Sequence, residues 1–280
     1  MLSTHGCDLY ILRLNLFSGG WELKITLRLA ELPITGSWSL CMENAVKASA
    51  IKPLPDVLLL PELFTIGFVL DSIASSAIER EELPYLPLAE AARNSKIWIA
   101  GGSFPVRVSG GIANLVPVYN SSGELVHTTC KGHLFRNMGE HTAFIPGNPS
   151  GVFDLKGIRT GAAVCYDLRF PELFRKLTIK GAELLLLPAQ WPQVRNGVFR
   201  SLLVARSSEA QVFTAGCNLG GEHLGVSYNG GGGVVSPSGQ FLDYDEAASG
   251  VRDFLIDTDL VQRERERINC LNDRRPEVYE

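Results

Sequence analysis

Three features are missing from this sequence, and each absence removes a class of protein. No stretch reaches the roughly 18 apolar residues that a membrane-spanning helix needs, so we predict no membrane span. The six cysteines include no C-x-x-C pair, and the five histidines show no metal-ligand spacing, which argues against a zinc site and a disulfide framework. A formal net charge of -4 gives no reason to expect nucleic acid or an anionic membrane as a partner.

Cysteines without a disulfide framework are typical of a reducing compartment, so we predict a cytoplasmic protein. We also predict that it uses no metal and no cofactor. Residues 1–22 contain an apolar stretch, but Asp8, Arg13 and Asn15 interrupt it and no clean cleavage site follows. We therefore treat them as an N-terminal extension without an assigned role, rather than as a signal peptide. From residue 23 to residue 280, strand patterns alternate with helix patterns and no linker divides them. This predicts one α/β domain.

Residues 160–175 read T-G-A-A-V-C-Y-D-L-R-F-P-E-L-F-R and combine a buried-strand pattern with a helix start. The small apolar run ends at Cys165, and Pro171 opens a segment whose apolar spacing predicts a helix over residues 172–180. Because a helix N-terminus favours a thiolate, Cys165 is a candidate nucleophile. Free cysteines are also among the most buried residues, so a core cysteine is the alternative interpretation.

Two further predicted strands end beside a residue with useful chemistry. The apolar run at residues 56–61 is followed directly by Glu62, and Lys131 lies just past a strand predicted over residues 124–129. Sites in open α/β sheets lie outside the carboxyl ends of strands, so these side chains are expected to converge with Cys165. A buried carboxylate can take the proton of a thiol. Lys131, with the backbone N–H of Tyr166, can stabilise an oxyanion.

A Cys–His pair is the alternative to a carboxylate base, and spacing leaves four candidates open: His127, His133, His141 and His223. Other patterns predict strands over residues 97–104 and 182–188 and helices over residues 43–51 and 197–210.

Three ordered motifs resemble those of the nitrilase, or carbon–nitrogen hydrolase, superfamily: P-E-L-F at 61–64, K-G-H-L-F at 131–135 and V-C-Y-D-L-R-F-P at 164–171. The resemblance implies that Glu62 is the general base, Lys131 the oxyanion stabiliser and Cys165 the nucleophile. It also implies that Glu140, in G-E-H-T-A-F-I-P-G, is the family's second glutamate. The implied fold is an αββα sandwich whose subunits form a homodimer or a higher homo-oligomer through the helices after the nucleophile and in the C-terminal half.

The residues after the cysteine indicate an amidase branch, because Tyr166-Asp167 replaces the Trp-Glu of nitrilases. C-Y-D-L-R-F-P and L-L-L-P-A-Q-W-P look closest to the omega-amidase group. That likeness implies hydrolysis of a small linear amide, 2-oxoglutaramate or 2-oxosuccinamate, through a cysteine thioester. Arg169 would then hold the substrate carboxylate or only brace the helix start. Trp191 would line the pocket or merely pack.

Other functions remain open at this point. Another amidase or an N-carbamoyl hydrolase would use the same four residues, and a non-catalytic binding member would use none of them. Two departures from the family pattern bear on the pocket: Arg28-Leu29-Ala30 stands where the family often has a glutamine, and Gly230-Gly231-Gly232 replaces Gly-His-Ser or Gly-Gly-Ser.

Overall fold

Two β-sheets pack face to face in the computed structural model, and helices cover the outer face of each sheet. The structure describes residues 23–149 and 151–279. The predicted extension at residues 1–22 lies outside the described residues. The four layers are the αββα sandwich that the sequence motifs predicted, and that prediction is confirmed.

The strands have the following bounds. They are β1 Lys24–Ala30, β2 Val57–Leu59, β3 Ile78–Glu79, β4 Trp98–Ala100, β5 Phe104–Val108, β6 Gly111–Tyr119, β7 Leu125–Cys130, β8 Val152–Leu155, β9 Ile158–Ala162, β10 Leu184–Ala189, β11 Phe213–Asn218, β12 Glu222–His223, β13 Val226–Ser227, β14 Gly233–Val235, β15 Asp245–Ala248 and β16 Val251–Asp257.

The α-helices are α1 Trp38–Ala50, α2 Leu70–Ser76, α3 Pro87–Ser95, α4 Glu140–Ala143, α5 Pro171–Ile179, α6 Asn196–Ala210 and α7 Asp259–Arg267. Short 3-10 helices cover Arg80–Tyr85, Arg136–Met138, Cys165–Arg169, Gln193–Arg195 and Pro276–Val278. Within the described part of the chain, no helix has the length and apolar character needed to cross a membrane.

The larger sheet has the order β15-β16-β1-β2-β4-β6-β5-β3, with β7 paired to β6. The smaller sheet has the order β14-β11-β10-β9-β8. Strands β1, β2 and β4 run parallel in the first sheet, and β9, β10 and β11 run parallel in the second. Parallel strands end at one edge of a sheet, and the loops that follow β2, β9 and β10 carry the candidate site.

Successive side chains of the central strands face opposite sides of the sheet, and both sides are buried, which explains the unbroken apolar sequences. Within β10, Leu184 and Leu186 face the core between the sheets, whereas Leu185 and Leu187 pack under α5 and α6. Strand β2 behaves likewise, with Leu58 turned toward the core under α1 and α3. Because both faces of these strands are buried, neither face needs polar residues.

Two predicted boundaries are wrong. Helix α1 begins at Trp38, five residues before the predicted start, because the Ser37 side chain accepts a hydrogen bond from the N–H of Leu40 and caps the helix. The strand predicted over residues 97–104 is broken between β4 and β5. The break lies at Gly102, whose φ is +67° and where a Cβ would lie 2.3 Å from the carbonyl oxygen of Pro61.

Arg28, one of the departures from the family pattern, is a structural residue of the outer layer. Its guanidinium is fully buried and donates to both carboxylate oxygens of Asp253, each at 2.7 Å. It also donates to the carbonyls of Ala48, Ile51 and Pro53. These bonds satisfy the buried charge and join β1 to β16 and to the end of α1, away from the candidate site.

Candidate active site

Three charged side chains that are remote in sequence meet in the interior at the edge of the larger sheet. Lys131 Nζ donates to Glu62 Oε1 and to Glu140 Oε1, both at 2.8 Å. All three side chains are at most 2% exposed. The predicted convergence of Glu62 and Lys131 is therefore present, and it includes Glu140.

Asn114 in β6 holds both sides of this cluster. Its Nδ2 donates to Glu62 Oε1 at 2.9 Å, and its carbonyl accepts a hydrogen bond from the N–H of Lys131 at 2.8 Å. Glu140 is fixed separately, because the N–H of Phe135 donates to its second oxygen at 2.6 Å. One residue thus ties Glu62 to the loop of Lys131, through its side-chain amide and its backbone carbonyl.

The turn that carries Glu62 rests on the loop after β4. Ser103 Oγ accepts a hydrogen bond from the N–H of Leu63 at 3.0 Å, and the N–H of Ser103 donates to the carbonyl of Pro61 at 3.3 Å. Leu63 has a φ of +44°. Close approach of Gly102 to Pro61 is what allows this packing, so the break between β4 and β5 positions Glu62.

Cys165 approaches the cluster from the other sheet. It follows β9 and begins the 3-10 helix Cys165–Arg169 with a φ of +48°, in the left-handed region that bulky residues rarely adopt. Its sulfur interacts with the Glu62 carboxylate and with the backbone N–H of Gln190. Strain of this kind is tolerated where the surrounding contacts fix the conformation, and it turns the thiol toward Glu62.

Two of the histidines considered as alternative bases contact groups other than the Cys165 thiol. His133 Nδ1 lies 2.7 Å from Asp167 Oδ1, and His127 Nε2 lies 3.0 Å from Thr129 Oγ1. The partner of the Cys165 thiol is the Glu62 carboxylate.

Burial and the charges around the thiol favour its protonated form in the resting site. Burial raises the pKa of Cys165 well above its usual value, and the Glu62 charge raises it further; Lys131 and the N–H of Gln190 oppose this only in part. The expectation that a helix N-terminus favours a thiolate here is therefore wrong for the resting site. Burial and a nearby carboxylate outweigh the oriented amides.

The same balance acts on the cluster itself. Burial alone would lower the pKa of the Lys131 ammonium, but the Glu62 and Glu140 carboxylates raise it. Burial raises the pKa of Glu140, and the Lys131 charge opposes that effect. One cation between two carboxylates leaves a net negative charge, which favours a charged lysine and a neutral thiol.

Asp167 joins the loop of Lys131 to the loop of Cys165. It is fully buried, and its carboxylate accepts hydrogen bonds from the N–H groups of Gly132, His133 and Val164 at 3.3, 2.8 and 3.0 Å. Two of these donors follow Lys131, and the third precedes Cys165. This one carboxylate therefore holds the Lys131 loop of the larger sheet next to the Cys165 loop of the smaller sheet.

Cys165 opens on a cavity of about 330 Å³. The sequence-predicted residues Tyr166, Arg169 and Trp191 line it, and its remaining wall consists of Phe135, Asn137, Met138, Gln190, Pro192, Val194 and Arg195. The Arg169 guanidinium lies 4.9 Å from the centre of the Trp191 ring. Two cavities of about 750 and 720 Å³ are larger, but Cys165 does not line either of them.

The glycine loop lies behind this cavity rather than in it. Asn218 donates from Nδ2 to the carbonyls of Trp191 and Gly230, and its Oδ1 accepts from the N–H of Trp191. At Gly232, a Cβ would lie 2.1 Å from the carbonyl oxygen of Gly216 and 2.7 Å from Glu31 Oε1. Glycine there allows the loop to approach β11 and so to hold the Trp191 segment.

Sequence reasoning missed Asn114, Gln190, Arg195, Asn218 and Tyr228. The signal for Asn114 was an amide inside an apolar strand, where an unpaired polar group is costly. Arg195 lies four residues after Trp191, and periodicity gives no indication of its position. Tyr228 is buried, and that burial and the nearby Glu62 charge raise the pKa of its hydroxyl.

The fold and the site define a hydrolase of carbon–nitrogen bonds. The family model for carbon-nitrogen hydrolases matches residues 33–266, and the chain belongs to that family. The resemblance found from three motifs is confirmed, and the chain is an enzyme rather than a non-catalytic member.

Particular relatives narrow the comparison. The chain is 34% identical over 224 residues to the 2-oxoglutaramate amidase of Bacillus subtilis (strain 168), covering 80% of this chain and 86% of that protein. It is 34% identical over 206 residues to the omega-amidase YafV of Escherichia coli (strain K12), covering 73% and 77%. Among solved structures, a mutant amidase from Nesterenkonia sp. AN1 with a covalent acetamide adduct at its active site cysteine matches at a TM-score of 0.74 and 27% identity, covering 93% and 97%.

Replacing Asp167 with asparagine tests the link between the two loops. Asp167→Asn replaces one acceptor oxygen with an NH₂ group, although three backbone N–H groups donate to this side chain. We therefore expect the free energy of unfolding to fall by about 2 kcal/mol. We also expect kcat to fall about tenfold to a hundredfold, because small displacements of reacting groups are costly. Urea denaturation and steady-state kinetics measure the two effects.

Asp154→Asn is the matched control, because Asp154 accepts one backbone N–H, from Gly157, in an exposed turn. We expect it to change stability by about 1 kcal/mol or less and to leave kcat unchanged. Equal effects of both variants would show that Asp167 has no special place in the site.

Proposed function

We propose that this chain is an omega-amidase. In this proposal it hydrolyses the terminal amide of a short 2-oxo acid amide, 2-oxoglutaramate or 2-oxosuccinamate, to the carboxylate and ammonia. The observation that carries the proposal is one cavity with Cys165 at its inner end and the cation of Arg169 in its wall. The names of the two amidases described above support the substrate class.

In the acylation step, Glu62 takes the proton of Cys165, and the sulfur attacks the amide carbon. Lys131 uses two of its three N–H groups on Glu62 and Glu140, which leaves the third for the developing oxyanion. The backbone N–H of Tyr166 is the second donor. Glu62 then passes its proton to the leaving nitrogen, and ammonia departs as the thioester forms.

Deacylation reuses the same groups. Glu62 takes a proton from water, the hydroxide attacks the thioester carbon, and the tetrahedral intermediate expels the sulfur, which regains its proton from Glu62. The sum is one amide and one water consumed, with one carboxylic acid and one ammonia formed. Glu140 positions Lys131 throughout, because it holds the ammonium opposite Glu62.

Charges at the outer end of the cavity favour an anionic substrate without an ammonium group. Arg169 and Arg195 line the wall, and no aspartate or glutamate lines it among the described residues. An amide with a free carboxylate would be attracted there. An amino acid amide such as glutamine would bring an α-ammonium that finds no anion in that wall, whereas a 2-oxo group is neutral.

We propose further that the enzyme acts as a homodimer in the cytoplasm. Exposed apolar side chains on the helices after the nucleophile support association, with Ile179 on α5 56% exposed and Val198 on α6 45% exposed. We expect sedimentation equilibrium to give twice the chain mass or a larger multiple. A monomer at micromolar concentration would contradict the dimer.

A substrate panel tests the function, with Cys165→Ala as the matched blank. We expect ammonia release to be fastest for ω-amides of 2-oxo acids, slower for glutamine and asparagine, and slowest for ureido acids. Cys165→Ala is expected to lose at least about a hundredfold in kcat, because no thioester forms. Mass spectrometry of acid-quenched enzyme is expected to show the acyl adduct on the wild type alone.

A second control is Cys130→Ala, which removes a half-buried cysteine that does not line the cavity. It is expected to retain activity and the adduct. Faster turnover of a ureido acid than of any 2-oxo acid amide would replace this proposal with N-carbamoyl hydrolysis.

Arg169→Met tests the carboxylate site. Arg169 is exposed at the cavity mouth, so solvent weakens its attraction for a carboxylate relative to a buried pair. We expect KM for 2-oxoglutaramate to rise about tenfold, equivalent to about 1.4 kcal/mol. KM for a neutral amide of similar length is expected to change less than about threefold, within about 0.7 kcal/mol.

Arg136→Met is the matched control, because Arg136 is an exposed arginine near the site that does not line this cavity. It removes the same charge and is expected to leave KM for both substrates unchanged. Equal losses on the charged and the neutral amide in Arg169→Met would mean that Arg169 braces the helix start instead.

A further inference from the structure

Gln190 has an unpaired buried carboxamide in the wall of the catalytic cavity. The residue follows the last parallel stretch of β10 and is 8% exposed. Neither its Oε1 nor its Nε2 has a hydrogen-bond partner among the described residues. Its side chain nevertheless lines the cavity onto which Cys165 opens.

This lack of partners is unusual for an amide in this part of the molecule. Asn218, whose amide lies behind Trp191, gives a comparison. It is fully buried, and both its oxygen and its nitrogen make hydrogen bonds. Leaving a buried polar group unpaired costs free energy, so natural proteins do so rarely. A ligand that supplies the missing partner recovers that cost on binding.

Contacts place Gln190 at the nucleophile end of the cavity. Its backbone N–H interacts with the Cys165 sulfur. Its side-chain amide lies beside the Tyr228 hydroxyl, outside hydrogen-bonding geometry. Tyr228 in turn lies near Cys165 and Glu62. The substrate group nearest Gln190 is therefore the one that reacts, rather than the carboxylate at the mouth.

Three carboxylate oxygens at this end already accept hydrogen bonds from the protein. Glu62 Oε1 accepts from Lys131 and Asn114, and the two oxygens of Glu140 accept from Lys131 and the N–H of Phe135. Donors for an oxyanion are supplied by Lys131 and Tyr166. The missing element is a neutral acceptor for the N–H groups of a primary amide.

We infer that Gln190 binds the scissile carboxamide, with Oε1 accepting a hydrogen bond from the substrate –NH₂ group. This inference rests on the proposed amide hydrolysis at Cys165 and names the residue that distinguishes an amide from other acyl compounds. Rotation of the terminal amide can turn Oε1 to the substrate while Nε2 faces Tyr228. A carboxylate product offers only acceptors, so it loses this bond and is released more readily.

The test compares one amide with the methyl ester of the same acid, because the ester has no N–H to donate. Gln190→Met keeps the side-chain length and removes the hydrogen bond. We expect kcat/KM for the amide to fall about tenfold to thirtyfold, as for one lost hydrogen bond to a buried group. We expect kcat/KM for the ester to change less than about threefold. This ratio reports the acylation step even where deacylation limits kcat.

Two further variants separate binding from structural support. Gln190→Glu retains an acceptor but adds a negative charge beside Cys165, so it is expected to slow both substrates while largely keeping the wild-type amide-to-ester ratio. Gln193→Met removes an exposed glutamine of the same loop that does not line the cavity, and is expected to change neither substrate. Thermal melting of each variant checks that it folds.

The outcomes are distinguishable from failure of the proposed function. If the panel selects an amide other than a 2-oxo acid amide, the ratio is measured with that amide and its ester. Equal losses on amide and ester in Gln190→Met, or no loss on either, would overturn the inference. The amide-to-ester ratio of kcat/KM in Gln190→Glu could also be as low as in Gln190→Met. That result would overturn the inference, because the acceptor would then be irrelevant.

Discussion

The Lys131 ammonium between two buried carboxylates is the interaction on which the site depends. Burying three charges is costly, and removing one partner of such a cluster costs about 3–5 kcal/mol because it strands the others. Two 2.8 Å hydrogen bonds join the lysine to Glu62 and Glu140. Burial first and the nearby Glu62 charge second raise the pKa of Cys165, which favours a nucleophile formed when the thiol proton moves to Glu62.

The cluster belongs to the larger sheet, and the nucleophile to the smaller one. Packing of the two sheets through their shared core brings them near each other, but a core of aliphatic side chains sets distances only approximately. The buried Asp167 carboxylate adds the directional contacts, because its three N–H donors lie on both loops. Hydrophobic packing thus provides proximity, and one hydrogen-bonded carboxylate provides the alignment that catalysis needs.

Sequence reasoning predicted the elements that repeat a simple physical pattern. The unbroken apolar runs of β2 and β10 follow from burial on two faces, and the placement of Glu62, Lys131 and Cys165 at loop positions follows from strand direction. The start of α1 was missed because a serine cap outweighed weak amphipathicity. The thiolate expectation failed because it considered local dipoles, whereas the pKa of Cys165 is raised first by burial and then by a carboxylate 103 residues away in the chain. Gln190 lies inside the L-L-L-P-A-Q-W-P motif, but its unpaired amide is recognised only once its neighbours are known.

The two ends of the catalytic cavity differ in the kind of polarity that they offer. The inner end holds its ionic charges in mutual pairs and leaves the uncharged Gln190 amide without a partner among the described residues. The outer end has two arginines and no carboxylate in its wall among the described residues. A substrate that is neutral where it reacts and anionic where it is anchored fits both ends at once. Reversing such a molecule would place its carboxylate beside the negatively charged cluster, so the charge distribution selects the orientation in which the amide, and not the acid, meets Cys165.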